Sequence, residues 1–219
     1  EFKFMLDYFF KNKNYLIIFF TIGYLVAFAL EAFGRGNWEF VYYIVMMTVL
    51  IYIIVSINKR LHLAFFIIWN LSFLGFLHLL GGNFYLHGIR LYDYYFIPDI
   101  LRYDNIVHTY GTFIATVALY SLLSPYISKN LKKHYPIFAI VLVLMAIGIG
   151  VLNELVEFFA VVFLNAAEQV GGYYNNALDL LFNTIGSILG TIFIYFYHER
   201  PKYLVDLKKE LNVKIKKNR

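Results

Sequence analysis

Apolar residues run along this chain in six long stretches, each about as long as a helix must be to cross a hydrocarbon layer. At a rise of 1.5 Å per residue, roughly 20 mostly apolar residues span about 30 Å of bilayer core. Runs of that order lie at about 15–33, 40–57, 63–80, 105–124, 137–164 and 177–197. What separates them is polar or turn-forming: EAFGRGNWE, NKRLH, the long GGNFYLHGIRLYDYYFIPDILRYD, PYISKNLKKHYP and NAAEQVGGYYNN, with HERPKYLVDLKKELNVKIKKNR after the last. The pattern predicts an all-α, polytopic membrane helical bundle of six transmembrane helices over residues 1–199 and a basic amphipathic tail over 200–219. In that tail Leu204, Leu207 and Leu211 share one helical face among lysines, which suits either an anionic leaflet or a solvated charged end. Lys11 and Lys13 ahead of the first run would also fit a cleaved signal peptide, but the run outlasts an h-region of about 7–15 residues.

Composition agrees with this reading. The chain is 61% hydrophobic and 15% charged, against about 45–50% apolar and about 25% charged in water-soluble domains. A soluble enzyme, a disordered regulator and a nucleic-acid reader are set aside. There is no cysteine, hence no disulfide framework, thiolate metal site or thiol nucleophile. The net charge of +5 marks orientation once its parts are sorted. Sixteen of the nineteen Lys and Arg residues fall in the N-terminal segment, the second and fourth connections and the tail; Arg35, Arg90 and Arg102 lie in the others. Because cytoplasmic segments accumulate these residues, the expectation is a multi-pass cell-membrane protein with both termini in the cytoplasm.

An ionisable side chain in hydrocarbon costs about 2.5–3.5 kcal/mol on insertion scales, so each one needs a reason. The set comprises His78, Asp104, His108, Glu154, Glu157 and Asp179, with the amide Asn183 beside them. Under the expected topology all seven fall in the outer half of the membrane. Asp104 and His108, and likewise Asp179 and Asn183, are four apart; Glu154 and Glu157 are three apart. Each pair therefore projects from one helix face. Gly111, Ala115, Gly150, Gly186 and Gly190 continue those faces with small residues that let backbones approach. The expected result is a floored pocket open to the extracytoplasmic side. Its carboxylates and imidazoles must bind a cation or share protons. A divalent metal is the first physical answer: zinc if the ligands are few, manganese or magnesium if oxygens dominate. A neutral hydrogen-bonded network between helices and a proton relay are the alternatives, although no matching polar layer or inverted repeat supports a transporter.

The segments RYDNIVHTYGTF, NELVEFFAV and GGYYNNALDLLFNTIGSILG, in that order, resemble the YjdF-type family of bacterial and archaeal membrane proteins, grouped with VanZ-like proteins. The family pattern is Asp and His four apart, then paired acidic or acid-and-amide residues, then Asp and Asn four apart before a glycine-containing helix. Here those positions are Asp104 and His108, Glu154 and Glu157, and Asp179 and Asn183. The resemblance covers roughly residues 75–195. Before its sixth span the chain reads GGYYNNALD where relatives carry an acidic, tryptophan-bearing segment. The resemblance implies the fold and the location of the site; the VanZ-like association with glycopeptide resistance implies a lipid or lipid-linked envelope substrate.

The resulting expectation is a metal-dependent hydrolase or transferase acting on such a substrate among membrane lipids. His108, Glu154 and Asp179 are the expected metal ligands. Glu157 is the base or a further ligand, Asp104 the partner orienting His108, and Asn183 a hydrogen-bond donor. His78 and Arg102 are the expected substrate contacts, Glu31 stands at the edge, and Arg90 and Arg102 pair with Asp99 or bind phosphate. His62, His87 and His134 are expected to be solvated, and His198 lies on the far side. The connection from Asn165 to Gly172 reads as a lid or an ordinary turn. The alternative function is a non-enzymatic lipid-binding protein or proton-linked transporter that uses the same cluster.

Overall fold

In the computed structural model, residues 13–61, 63–128, 131 and 134–199 are described. The basic tail expected over 200–219 lies outside them, as does His62. Six helices are long and apolar enough to cross a membrane. They are α1 (Lys13–Arg35), α2 (Trp38–Leu61), α3 (Phe65–Asn83), α4 (Tyr103–Leu123), α5 (Tyr135–Leu164) and, after the short α6 (Ala167–Val170), α7 (Tyr173–Ile194). The ends follow local chemistry. Pro136 stands in the first turn of α5, where its missing N–H costs nothing. Asn165 closes that helix in the left-handed conformation, φ 56°. Large apolar side chains such as Ile22, Leu30, Val49, Leu144, Leu152 and Phe163 are exposed on the flanks, as a surface facing lipid requires.

Helices α4 and α7 form the most extensive pair. They run parallel: Asn105 meets Asp179 at one end, and Thr116 meets Gly190 further along. Glycine permits the approach, since a Cβ on Gly186 would sit 2.1 Å from the Thr109 carbonyl oxygen. Gly111, on another face of α4, meets Leu74 of α3 instead. Two apolar clusters bracket the polar region. Ile67, Val117, Tyr120, Phe138, Leu142 and Ile194 close one end. Tyr24, Ala32, Phe40, Tyr43, Leu79 and Ala160 tie α1, α2, α3 and α5 together toward the other.

The connection from α3 to α4 caps that second end and carries the strands found among the described residues. β1 (Tyr85–Leu86) pairs antiparallel with β2 (Ile89–Arg90), and β3 (Tyr95–Ile97) with β4 (Leu101–Arg102); a 3-10 turn, Leu91–Asp93, lies between. His87 (φ 52°) and Gly88 (φ 83°) both adopt positive φ at the first hairpin tip, the pattern of a type I′ turn that matches strand twist. Leu91 of the 3-10 turn is buried with Tyr103 and Val107 of α4, which holds this cap on the bundle.

Candidate functional site

Asp104 and His108 sit in the first turns of α4, where the Arg102 backbone N–H donates to Asn105 Oδ1 at 2.9 Å and fixes the helix start. The imidazole of His108 is the hub. Its Nε2 lies 3.3 Å from Asp104 Oδ1 and 3.8 Å from Asp179 Oδ1. Its Nδ1 lies 3.2 Å from Asn183 Oδ1 and 3.6 Å from Glu154 Oε1. Each aspartate has its second oxygen held elsewhere: Asn175 Nδ2 donates to Asp179 Oδ2 at 2.8 Å, and Arg102 Nη2 to Asp104 Oδ2 at 3.3 Å. Both Oδ1 atoms are thereby turned toward one ring nitrogen. Asp179 is fully buried, and Asn183, His108, Asp104 and Glu154 are all buried.

Glu154 is different. Neither of its carboxylate oxygens has a hydrogen-bond partner among the described residues, and the same holds for Asn183 Nδ2 and Arg102 Nε. Glu157, one turn further along α5, accepts from Asn153 Nδ2 at 2.9 Å. Four carboxylates thus face one imidazole and the Arg102 guanidinium, an imbalance that burial makes costly. Two sets of ligand atoms lie within 4.8 Å of one another: Asp104, His108 and Asp179, and His108, Glu154 and Glu157.

A cavity of about 140 Å³ adjoins this cluster. Asp104 and Glu157 belong to both; Glu39, Tyr43, His78, Arg90, Tyr92, Arg102 and Asn175 complete most of its polar lining. His78 is hydrogen-bonded through Nδ1 to the Tyr92 hydroxyl and boxed by Phe40, Tyr43 and Tyr92, with ring centroids 5.9, 5.4 and 5.5 Å away. Burial pushes the Tyr92 phenol well above its ordinary pKa, and the charges of Asp104 and Glu157 add to this, so the hydroxyl keeps its proton. Val170 and Gly171, from the connection expected as lid or turn, also line the cavity.

The structure therefore gathers five of the other six intramembrane polar residues around His108 and puts the sixth, His78, on the adjoining wall. It also redistributes roles. Glu154 and Asp179, expected with His108 as one ligand set, face opposite ring nitrogens and fall in separate groups of convergent ligand atoms. Asp104, expected only to orient His108, shares the Nε2 side with Asp179. The arginines do not pair with Asp99: Arg90 binds Asp93 at 2.8 Å with Glu39 at 3.7 Å, and Arg102 binds Asp104. Glu31 pairs with Arg35 at 2.8 Å and is not among the cavity residues; Glu39, from the next helix, is. His87 and His134 are exposed, as expected. Arg90, expected to pair with Asp99 or bind phosphate, lines the cavity, whereas Glu39, Tyr43, Tyr92 and Asn175 were not singled out from the sequence. Only Asn175 had a usable signal, four residues before Asp179 on the same helix face.

A family model described as a predicted membrane protein, DUF2238, matches residues 14–200. An uncharacterized protein of Thermotoga maritima is 27% identical over 108 residues, 49% of this chain and 55% of that protein. The chain thus spans about half the length of this curated relative. No solved structure matches the chain.

Proposed function

The chain belongs to the DUF2238 family of predicted membrane proteins, and from that premise we propose that it is a metal-dependent hydrolase or transferase whose divalent ion sits at His108 Nε2 between Asp104 and Asp179. The observation that carries this reading is the convergence of two Oδ1 atoms on one ring nitrogen, each carboxylate braced through its other oxygen. Asn183 Oδ1 on the opposite nitrogen supports it, because accepting from Nδ1–H leaves the Nε2 lone pair free to ligate. One nitrogen with two oxygens suits zinc, or manganese or magnesium with further water. The Glu154 carboxylate, without a hydrogen-bond partner among the described residues, adds to the negative charge that an ion here would balance.

Such an ion would polarise a phosphoryl or acyl oxygen and acidify a bound water. Glu157 reaches the cavity with one oxygen already braced by Asn153, which suits it to accept the proton of that water. Arg102 and His78 on the wall are the substrate contacts. For the substrate we propose a lipid or lipid-linked envelope molecule, a reading supported by a polar site within a membrane bundle and by the resemblance stated above. The concentration of Lys and Arg outside the connections at the site's end supports an extracytoplasmic opening with both termini cytoplasmic. The second reading, protonation-linked lipid binding or transport without an ion, draws on the same imidazole facing carboxylates on both sides.

Elemental analysis of the full chain purified in dodecyl maltoside decides between them. We expect about one zinc, manganese or magnesium per chain, and none after joint Asp104→Asn and Asp179→Asn substitution. Metal-free wild-type protein that remains so after incubation with each of the three ions would overturn the metal reading in favour of proton sharing.

A further inference from the structure

The hairpin formed by β3 and β4 carries a surface that a connection in water would not. Six consecutive residues, from Tyr95 to Ile100, are exposed. Four of them, Tyr95, Phe96, Ile97 and Ile100, are large and apolar. From Tyr94 to Leu101 the one charged residue is Asp99. Side chains alternate along a strand, so a strand packed on a core hides every second one. All three residues of β3 are exposed, and the strand hides no face against the bundle. A two-stranded ribbon has no core of its own, and such a run of apolar side chains open to water invites association.

Its place on the bundle says what covers it. The backbone N–H of Tyr103, the first residue of the span α4, donates to the Tyr94 carbonyl at 3.0 Å, so the hairpin is rooted where that span begins. Leu101 of β4, paired with Ile97 of β3, lines an apolar depression of about 380 Å³ together with Ile106 of α4 and Ile185 and Leu189 of α7. Those three helix residues are exposed on the flanks of spanning helices, where lipid lies. The apolar surface of the hairpin is thus continuous with a flank that hydrocarbon wets. Aromatic rings settle at the head-group level, which suits Tyr95 and Phe96, and at that level Asp99 keeps its access to water. The other hairpin of this connection turns instead at His87 and Gly88.

We infer that the hairpin of β3 and β4 is embedded in the membrane interface at the site's end of the bundle, and that its partner is the lipid of that leaflet. Phe96, Ile97 and Ile100 lie at the boundary of head groups and acyl chains, while the His87 tip stays in water. Arg102, one residue past Leu101, lines the polar cavity, so the leaflet surface is brought to the rim of the candidate site. This placement needs no bound metal and holds for either reading of the site.

The chain has no cysteine, so single cysteines can carry a nitroxide label with no background substitution. Phe96→Cys, Ile97→Cys and Ile100→Cys are labelled in the full chain reconstituted into phosphatidylcholine vesicles. His87→Cys is the aqueous reference, and Leu152→Cys, exposed on the flank of α5, the lipid reference. Power saturation reads how often each label collides with oxygen, which concentrates in hydrocarbon, and with a polar nickel chelate, which stays in water. We expect the oxygen-to-nickel ratio at the three hairpin positions to exceed that at position 87 by about threefold or more and to fall short of that at position 152. Adding Ile97→Asp and Ile100→Asp to the Phe96→Cys protein should return its ratio to the aqueous level. Aqueous ratios at two or more of the three positions would put the hairpin in water and overturn the inference. Labels immobilised and shielded from both reagents would overturn it too, because they would show a protein cover such as a second copy of this chain. A ratio at position 96 indifferent to the two aspartates would do the same, since the apolar side chains would then not be what holds the hairpin in the leaflet.

Discussion

The two sides of the His108 ring are built differently. On the Nε2 side two aspartates from separate helices present one oxygen each, and Asn175 and Arg102 hold the other oxygens. On the Nδ1 side a single amide oxygen makes the short contact, and the nearby Glu154 carboxylate has no hydrogen-bond donor among the described residues. A braced carboxylate is preorganised for whatever sits before it, because little rotamer freedom remains to be lost on binding. An unbraced buried one carries a desolvation cost that no hydrogen bond among the described residues offsets. The difference teaches that proximity to an imidazole does not make a ligand. The oxygens held in place from behind are the ones arranged to receive an ion.

Removing the braces should weaken the Nε2 side most. Asn175→Ala frees Asp179 Oδ2, and Asn183→Ala removes the acceptor that fixes the His108 tautomer. Losses of such supporting hydrogen bonds typically cost about 10–100-fold in metal affinity, and we expect that range for each, read by titration with a competing chelator. Unchanged affinity in both would show that the braces do not set the site and would erase the distinction between the two sides.

A smaller effect should follow from pressing on Asn183 without deleting it. A Cβ on Gly150 of α5 would lie 2.6 Å from Asn183 Nδ2 and 2.9 Å from its Cγ, so Gly150→Ala must shift that amide. Metal affinity should fall by several-fold, less than the roughly tenfold or greater loss expected for Asn183→Ala. In an Asn183→Ala background the added methyl should cost nothing further, because its effect passes through a side chain no longer there. Additive losses in the double variant would mean that Gly150 acts through backbone packing instead.

The six spans were legible because lipid imposes one rule on the whole length of each helix, that its flank be apolar. The intramembrane cluster was legible for the converse reason, since Asp104, His108, Glu154, Glu157 and Asp179 interrupt runs that tolerate few charges. Which carboxylate meets which ring nitrogen was not. Spacing of four assigns Asp104 and His108 to one face of α4, but it says nothing of how α4 turns toward α5 and α7 or which rotamer the imidazole takes. The cavity wall was harder still. Tyr92 comes from a connection whose hairpins depend on positive φ at His87 and Gly88, and such connections ordinarily carry polar residues without function. Glu39 begins α2 at a depth where a charge needs no special account, and only the fold turns it toward Arg90. Glu31, equally acidic and at the adjoining helix end, was the more conspicuous candidate and is spent on Arg35.

The smallest expected effect on metal is also the sharpest test of the comparison. Glu154→Gln keeps the shape of the side chain, removes a buried negative charge and adds an amide donor beside Asn183 and His108. If the ion belongs to the Nε2 side, affinity should change by no more than about threefold, under about 0.7 kcal/mol. Stability in dodecyl maltoside should meanwhile rise, since an unpartnered buried carboxylate is exchanged for a neutral group. A gain of about 1 kcal/mol is the scale for relieving one unsatisfied polar group, which for a chain of this size is a melting temperature higher by roughly 2–4 °C. The opposite pattern, metal lost and stability unimproved, would put the ion on the Nδ1 side with Glu154 and Glu157. Asp104 and Asp179 would then be the residues that tune the ring from behind.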